Sequence, residues 1–253
     1  MEIIILGSGT GLPSWERGSP SILLRMKENV LAMDMGPGTL RQMARAGIPF
    51  YRINLVLITH FHPDHINDLA HFLFALRSPA ILGEKGPVTL AGPVGINNFV
   101  QLLKAMYGKW VDFLHKESKI LEILPGHSFE FNGIAIKSCR TFHTEESLAY
   151  SIEIPGKGPL VYSGDAAFSQ ELLMLSKGVE TLILECSLPD GTGEEAHLTP
   201  QKVGILAKEA GVKTLILTHF YPEVLQTDIA MAVRHTFQGE LILARDLLRI
   251  PLR

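Results

Sequence analysis

The sequence has little cysteine and no long apolar run. Its two cysteines, Cys139 and Cys186, allow at most one disulfide, which excludes the cysteine-rich framework of small secreted domains. The apolar start Met1–Leu6 is too short for a signal-peptide core and lacks a basic leader. No apolar stretch approaches the roughly 18 residues of a membrane helix. We therefore expect a soluble, cytoplasmic protein without a membrane partner.

An excess of positive charge is also missing. The formal net charge is -3 and lysines and arginines form no basic run, so no global positive field recruits nucleic acid. Low-complexity tracts, internal repeats and long linkers do not occur either. The length of 253 residues is enough for one large core, and the sequence predicts a single domain over residues 1–253.

Short apolar runs, bounded by glycine, proline, asparagine or charged residues, alternate with helical patterns along the chain. The predicted strands are Ile3–Leu6, Ser21–Met26, Val30–Met33, Asn54–Ile58, Ile120–Leu124, Phe129–Phe131, Ile134–Lys137, Ala149–Ile154, Leu160–Tyr162, Thr181–Leu184, Thr214–Leu217 and Leu241–Leu243. The predicted helices are Thr39–Ala46, His65–Arg77, Asn97–Tyr107, Gln170–Ser176, Gln201–Ala210 and Thr227–Arg234. Two β-rich halves, each followed by helices, predict an α/β fold, a four-layer α/β/β/α sandwich. In the third helix, helical spacing predicts these core residues: Phe99, Leu102, Leu103 and Met106.

Four potential metal ligands lie close together directly after the fourth predicted strand. They are His60, His62, Asp64 and His65. Neutral imidazole and carboxylate suit divalent ions such as zinc, and side chains at a strand end can converge. We interpret the segment as a metal site, with His60 and His62 on one ion and the other two residues on a second. A polar turn of unrelated histidines is the weaker interpretation.

Three further candidate ligands follow predicted strands in the same way: His143, Asp165 and His219. A carboxylate has two oxygens, so Asp165 can clamp two cations roughly 3.5–4 Å apart. Each of these residues alone is equally well explained as part of a turn. Together they predict one rim of the fold at which two ions bind.

These residues resemble the ligand pattern of the metallo-β-lactamase superfamily and, within it, the ribonuclease Z branch. The pattern has an early strand-end Asp, then HxHxDH, then a His, an Asp and a His, which fall on Asp34, His60, His62, Asp64, His65, His143, Asp165 and His219. The resemblance implies that His60, His62 and His143 hold one zinc ion. It implies that Asp64, His65 and His219 hold the second and that Asp165 bridges the two. Manganese and iron are alternative metals, and a homodimer is expected.

Finer features carry the branch assignment. The segments Leu6–Ser14 and Gly36–Gln42 resemble the opening of ribonuclease Z proteins and the stretch after their early Asp. Ala196–Thr199 resembles their His-x-Thr element, and Glu185 matches a Glu upstream of it. A dinucleotide-binding loop is the alternative for the glycine-rich opening, but Leu12 stands where that motif needs its third glycine.

The same residues suggest a chemistry. Two divalent ions lower the pKa of a bound water, so that hydroxide is the nucleophile, and they neutralise charge on phosphoryl oxygens. Asp34 is expected to orient a ligand histidine by hydrogen bonding, or else to be a simple turn residue. By the resemblance, Asp64 also accepts a proton. His197, paired with Glu185, is the candidate general acid for the leaving oxygen; its alternative role is to cap the helix that begins near Thr199.

His127 competes with His143 for the third ligand position. The segment Pro125–Ser128 imitates the third-ligand motif of lactamases and of glyoxalase II. It lies in the turn before a predicted strand pair, however, and we favour His143. The remaining histidines, His71, His115 and His235, are interpreted as surface or core residues.

Many ribonuclease Z proteins insert a long arm that grips tRNA between the third ligand His and the bridging Asp. Here that interval, residues 144–164, holds only one hairpin turn. No arm fits in this interval, which speaks against precursor tRNA as the substrate. The resemblance implies a ribonuclease Z-like phosphodiesterase acting on RNA 3′ ends or on small phosphodiesters. Alternatives are a thioester, lactone or lactam hydrolase, a sulfate-ester hydrolase, an iron oxidoreductase and, least favoured, a non-enzymatic nucleic-acid-binding module.

Overall fold

The computed structural model describes residues 1–81, 83–113 and 115–252. The chain divides into two compact units, residues 1–123 with 246–252 and residues 124–245. The single domain over residues 1–253 stays a prediction. Within the described ranges, no helix has the length and apolar character needed to cross a membrane.

Seven strands form the mixed sheet of the first unit. They are β1 (Glu2–Gly7), β2 (Ser21–Arg25), β3 (Val30–Met33), β4 (Leu55–Leu57), β5 (Thr89–Pro93), β6 (Lys119–Ile123) and β14 (Arg249–Pro251). Their order across the sheet is β14-β1-β2-β3-β4-β5-β6. Strands β3 to β6 are parallel, with Met33 paired to Leu57. Because β3 and β4 end side by side, Asp34 lies next to the segment that begins at Ile58.

Four α-helices accompany this sheet: α1 (Thr39–Arg45), α2 (Pro63–Ile66), α3 (Asp68–Ala75) and α4 (Ile96–Tyr107). Short 3-10 helices occur at Phe50–Arg52, Pro79–Ile81 and Gly108–Val111. The predicted helix His65–Arg77 is therefore divided at Asn67. The core of this unit joins the strands to the helices through fully buried side chains, among them Ile4, Val56, Met43 and Phe72.

Helix α4 presents a different face to the core from the one predicted. Ile96 and Val100 are buried, and Phe99 and Leu103 pack against the same cluster. Leu102 and Met106 are 57% and 73% exposed, so their prediction as core residues is wrong. At about 100° per residue, positions 102 and 106 lie to the side of the buried stripe, although the apolar pattern includes them.

The second unit has its own seven-stranded mixed sheet. Its strands are β7 (Ser128–Phe131), β8 (Ile134–Arg140), β9 (Leu148–Ile154), β10 (Gly158–Tyr162), β11 (Thr181–Glu185), β12 (Thr214–Thr218) and β13 (Glu240–Leu243), in the order β13-β12-β11-β10-β9-β8-β7. Its helices are α5 (Gln170–Leu175), α6 (Pro200–Ala210) and α7 (Ile229–Arg234), with a 3-10 helix at Val224–Gln226. Strands β10 to β13 are parallel. Their carboxyl ends therefore bring Asp165, Glu185 and His219 to one edge.

The sequence patterns did not predict two of the strands, β5 and β14. β5 ends in Gly92-Pro93, which reads as a turn, and β14 is three residues long and ends in Pro251. Neighbouring strands hold both segments, because β5 pairs with β4 and β6 and β14 pairs with β1. Tertiary pairing here overrides weak local preference.

Candidate active site

Three imidazoles of the first unit meet in the turn after β4. The His60 ring lies 4.6 Å from that of His62 and 4.2 Å from that of His65, between centroids. His60 and His65 are buried, whereas His62 is exposed and precedes Pro63, the first residue of α2. Asp64 Oδ2 lies 3.9 Å from His65 Nε2. The turn therefore brings together all four of its predicted ligands.

Asp34 fixes the protonation of two of these imidazoles. It is fully buried and accepts hydrogen bonds from the Thr59 amide (2.8 Å), the Thr59 hydroxyl (2.9 Å) and His65 Nδ1 (2.8 Å). A carboxylate can only accept, so His65 must carry its proton on Nδ1. The Thr59 hydroxyl gives its own proton to Asp34 and so accepts from His60 Nδ1 at 3.0 Å. Both histidines keep the lone pair on Nε2, the form in which imidazole binds metal.

The second unit places Asp165 between two imidazoles. Its Oδ2 lies 3.5 Å from His143 Nε2, and its Oδ1 lies 3.3 Å from His219 Nε2. With zinc–nitrogen bonds of about 2.0–2.1 Å and tetrahedral angles, two donor atoms on one zinc ion lie about 3.3 Å apart. The donor types and the separations therefore fit a carboxylate that shares one ion with each histidine.

The loop between β8 and β9 holds His143. The Ser147 hydroxyl accepts from the amides of His143 (3.2 Å) and Thr144 (3.1 Å), and His143 Nδ1 lies 3.1 Å from the Ala196 carbonyl oxygen. A carbonyl can only accept, so Nδ1 carries the proton and Nε2 faces Asp165. Burial lowers the pKa of His143 despite the opposing charge of Asp165, which keeps this imidazole neutral.

Glu185 orients two histidines of this unit, His197 directly and His219 through a hydroxyl. It is buried at the end of β11 and accepts from the Ala166 amide (2.7 Å), from His197 Nδ1 (2.9 Å) and from the Ser187 hydroxyl. Ser187 Oγ lies 2.8 Å from His219 Nδ1. Because its proton goes to Glu185, Ser187 accepts from His219, whose Nε2 lone pair then faces Asp165.

His197 lies within this cluster and does not cap a helix. Burial opposes its charged form, but the hydrogen bond and the charge of Glu185 outweigh burial and raise the pKa of His197 to about 9. Its ring lies 4.6 Å from that of His143, and one ring nitrogen lies within 4.8 Å of donor atoms of Asp165 and His219. Thr199 occupies the N-cap of α6. The arrangement can hold a proton on His197 close to the carboxylate of Asp165.

Two hydroxyls, on Thr59 in the first unit and on Ser187 in the second, were not found from the sequence. Each stands between a buried carboxylate and Nδ1 of a histidine. The available signal was a Ser or Thr beside a strand-end His or Glu, a common pairing that does not by itself indicate contact. These hydrogen bonds from histidine through a hydroxyl to a carboxylate depend on side-chain directions that only the folded chain determines.

The competing histidine and the glycine-rich segments have structural roles. His127 is exposed in the turn before β7, and its carbonyl accepts from the Ser138 amide. A Cβ on Gly36 would lie 2.0 Å from the Asp64 carbonyl oxygen, and one on Gly7 would lie 1.8 Å from the Ser19 carbonyl oxygen. These glycines are needed for close backbone packing, and Gly36 lets the backbone at Asp64 approach.

Solved structures define the class of the chain. It superimposes on YhfI from Bacillus subtilis with a TM-score of 0.84 and 22% identity, covering 99% of each chain. Human tRNase Z, short form, gives a TM-score of 0.80 and 25% identity with full coverage of both chains. YhfI is described as a metallo-β-lactamase fold protein. The chain thus has the metallo-β-lactamase fold, and the predicted α/β fold class is confirmed.

Sequence comparison then gives the family. Ribonuclease Z of Methanosarcina mazei is 29% identical over all of this chain and 99% of its own length, and that of Mycobacterium marinum is 27% identical over 99% and 98%. Residues 1–240 match the model of the family described as Anti-Pycsar protein Apyc1, and the chain belongs to that family. The predicted resemblance to ribonuclease Z and the predicted class, a metal-dependent hydrolase, are confirmed.

Proposed function

We propose that this protein is a zinc-dependent phosphodiesterase that acts on RNA 3′ ends or on small phosphodiesters. The observation that carries the proposal is the position of Asp165, whose two oxygens face Nε2 of two different histidines at 3.3 and 3.5 Å. This is the arrangement expected of a carboxylate shared by two ions. Relatives named ribonuclease Z, at 25–29% identity, support RNA as the substrate class.

The proposed ligand sets follow the family pattern. One ion takes His60, His62 and His143, the second takes Asp64, His65 and His219, and Asp165 is shared. Support comes from the hydrogen bonds within each unit. They place the proton on Nδ1 and therefore the lone pair, with which imidazole binds a metal, on Nε2 in His60, His65, His143 and His219.

Bound divalent ions would supply an activated water and would neutralise charge on the phosphoryl oxygens. Two such ions carry more positive charge than Asp64 and Asp165 return, so the site would attract a phosphodiester anion although the net charge of the chain is -3. Asp64 is proposed to accept a proton from the attacking water.

His197 is proposed to protonate the leaving oxygen. His197 Nδ1 donates to Glu185 Oε1 at 2.9 Å, which fixes the ring and leaves Nε2 as the donor to the substrate. An alkoxide is a poor leaving group, so a positioned acid at this step contributes about 10²- to 10⁴-fold to the rate.

The decisive experiment is parallel turnover by the zinc-loaded protein. The substrates are an aryl phosphodiester, a precursor tRNA, a thioester and a lactam. We expect the phosphodiester to be preferred. Because the interval between His143 and Asp165 forms the β9–β10 hairpin without an arm, we expect weaker processing of precursor tRNA. Preference for the thioester or the lactam would refute the proposal.

Two matched variants test the third ligand. His143→Ala should lose metal and activity together, whereas His127→Ala removes an exposed histidine and should keep both. Loss of metal and activity in His127→Ala, with both retained in His143→Ala, would favour the lactamase-type ligand arrangement. Metal analysis of the purified protein should find two zinc ions per chain, and manganese or iron in their place would correct the identity of the metal.

Two copies of the chain are proposed to pair, as the resemblance implies. Five large apolar side chains of α3, α4 and the following 3-10 helix are about half exposed or more: Phe74, Leu102, Met106, Tyr107 and Trp110. Phe74, Tyr107 and Trp110 line a pocket of about 660 Å³. Tryptophan, tyrosine and methionine are enriched in protein interfaces. Trp110→Glu should yield monomers in sedimentation, and Trp15→Glu, at the fully exposed second tryptophan, should leave the mass unchanged. A cytoplasmic location stays a prediction.

A further inference from the structure

Phe142, the residue before His143, has a left-handed backbone conformation with φ of +59°. This conformation is unfavourable for a residue with a large side chain. Only five described residues other than glycine have a positive φ, and two more of them, Asp34 and His219, belong to the candidate active site. Strained backbone of this kind concentrates at functional sites.

Hydrogen bonds on both sides enforce the conformation. The Thr141 amide donates to the Ser147 carbonyl (3.1 Å), and the Thr141 carbonyl accepts from the Ala167 amide (2.8 Å). On the other side, the His143 amide donates to the Ser147 hydroxyl. The loop therefore holds Phe142 in one backbone geometry, and the strain is not the result of a loose segment.

The side chain of Phe142 does not use this geometry to fill the core. It is 43% exposed, and the Arg140 guanidinium lies over its ring, 5.0 Å from the centroid. An aromatic ring of this exposure, beside a cation, is the kind of surface on which nucleic-acid bases stack. Consecutive Cα atoms lie about 3.8 Å apart. The Phe142 side chain therefore leaves the backbone about 3.8 Å from the Cα atom of the proposed metal ligand His143.

We propose that Phe142 is a substrate-contacting residue that stacks on the base adjacent to the scissile phosphate. The inference rests on the proposed phosphodiesterase function and specifies its substrate as a nucleotide-bearing phosphodiester. The Arg140 guanidinium, which lies over the ring, orients the ring and adds positive charge close to the phosphates of the substrate. The backbone strain is the consequence of presenting an aromatic ring outward immediately before a ligand whose own position is fixed.

The test compares two phosphodiesters with the same leaving group. Thymidine 5′-(p-nitrophenyl phosphate) carries a base and methyl p-nitrophenyl phosphate does not. In Phe142→Leu and Phe142→Gly, the ratio of kcat/KM for the first substrate to kcat/KM for the second should fall by about 10-fold, the value of one stacked base. The change should lie mainly in KM, because stacking away from the reacting atoms binds ground state and transition state alike. Phe142→Tyr keeps the ring and should preserve the ratio.

A matched control uses the other strained apolar residue. Leu247 has a φ of +63° and lies in the C-terminal segment. Leu247→Gly relieves comparable strain and should leave the ratio unchanged. Calorimetry adds a measurement that does not depend on turnover, since binding of thymidine 5′-monophosphate, but not of methyl phosphate, should weaken in Phe142→Leu.

The outcomes separate the two proposals. An unchanged ratio and unchanged nucleotide binding in Phe142→Leu would refute the stacking role. So would an equal loss for both substrates together with loss of zinc, since that would assign Phe142 to the support of His143. Absence of turnover by the zinc-loaded wild type would refute the phosphodiesterase function instead, and the calorimetric comparison would still decide whether Phe142 contacts a base.

Discussion

Replacement of Asp34 by asparagine tests how the protein prepares its histidines for metal. Asparagine has nearly the same shape, and its remaining oxygen can still accept from the Thr59 amide and hydroxyl. The other carboxylate oxygen, which accepts from His65 Nδ1 at 2.8 Å, becomes an amide nitrogen with two protons. Two donors then face each other in a buried site.

His65 can escape this conflict by moving its proton from Nδ1 to Nε2. Its Nδ1 then accepts from the amide, but Nε2 no longer has a lone pair for a metal. Loss of such a supporting hydrogen bond typically lowers metal affinity by 10- to 100-fold, which corresponds to about 1.4–2.8 kcal/mol. We expect this loss at one zinc ion. In the metal-free protein the shifted proton restores the hydrogen bond, so we expect destabilisation by no more than about 1 kcal/mol, the net value of one hydrogen bond.

Competition with a chromophoric chelator measures the zinc affinities, and thermal unfolding with and without zinc measures stability. Asp68→Asn is the control, because Asp68 is a buried carboxylate on α3 that accepts from the Leu40 amide at 2.8 Å. It should lower stability without changing zinc affinity. Wild-type zinc affinity in Asp34→Asn would show that the proton position on His65 is not set by Asp34.

Three further outcomes follow from the structure. His197→Ala should keep the wild-type zinc content and lower kcat by about 10²- to 10⁴-fold; a loss of zinc equal to that of a ligand variant would contradict its role as an acid. Gly36→Ala should lower both the melting temperature and the zinc content, because its Cβ would lie 2.0 Å from the Asp64 carbonyl oxygen. An unchanged melting temperature and zinc content would show that the backbone at Asp64 can move away without loss of stability or of zinc. Cys139 and Cys186 are buried, and burial raises the pKa of Cys139 to about 12 and that of Cys186 well above its usual value. A thiol reagent at pH 8 should therefore label neither in the native protein and both after denaturation, and fast native labelling would contradict this burial.

In both units the same hydrogen-bond arrangement places the proton on Nδ1 of two histidines. In the first, Asp34 binds His65 directly and His60 through the Thr59 hydroxyl. In the second, Glu185 binds His197 directly and His219 through the Ser187 hydroxyl. A buried carboxylate that only accepts hydrogen bonds determines the proton positions on two rings in each case. Thr59→Ser and Ser187→Thr preserve the hydroxyl and are the conservative replacements at these positions.

Sequence patterns predicted most of the elements because the strands are short apolar runs and the glycines and prolines mark their ends. The candidate metal ligands stood out for a similar reason, since imidazoles and carboxylates repeatedly follow strands. Strands such as β5 and β14 were not predicted because their pairing partners, rather than their own residues, stabilise them. Leu102 and Met106 were misassigned because apolar spacing does not indicate how wide a stripe of a helix the core covers.

The sequence by itself determined which residue types are available for the chemistry and at which strand ends they occur, because this information is local. Only the tertiary structure decided which nitrogen of each histidine carries the proton, that Thr59 and Ser187 transmit this choice, and that Phe142 is held outward in a strained geometry. These properties depend on hydrogen bonds between residues far apart in the chain, such as Asp34 with His65 and Glu185 with His197. Their directions are fixed when strands align in register, and no local pattern encodes them.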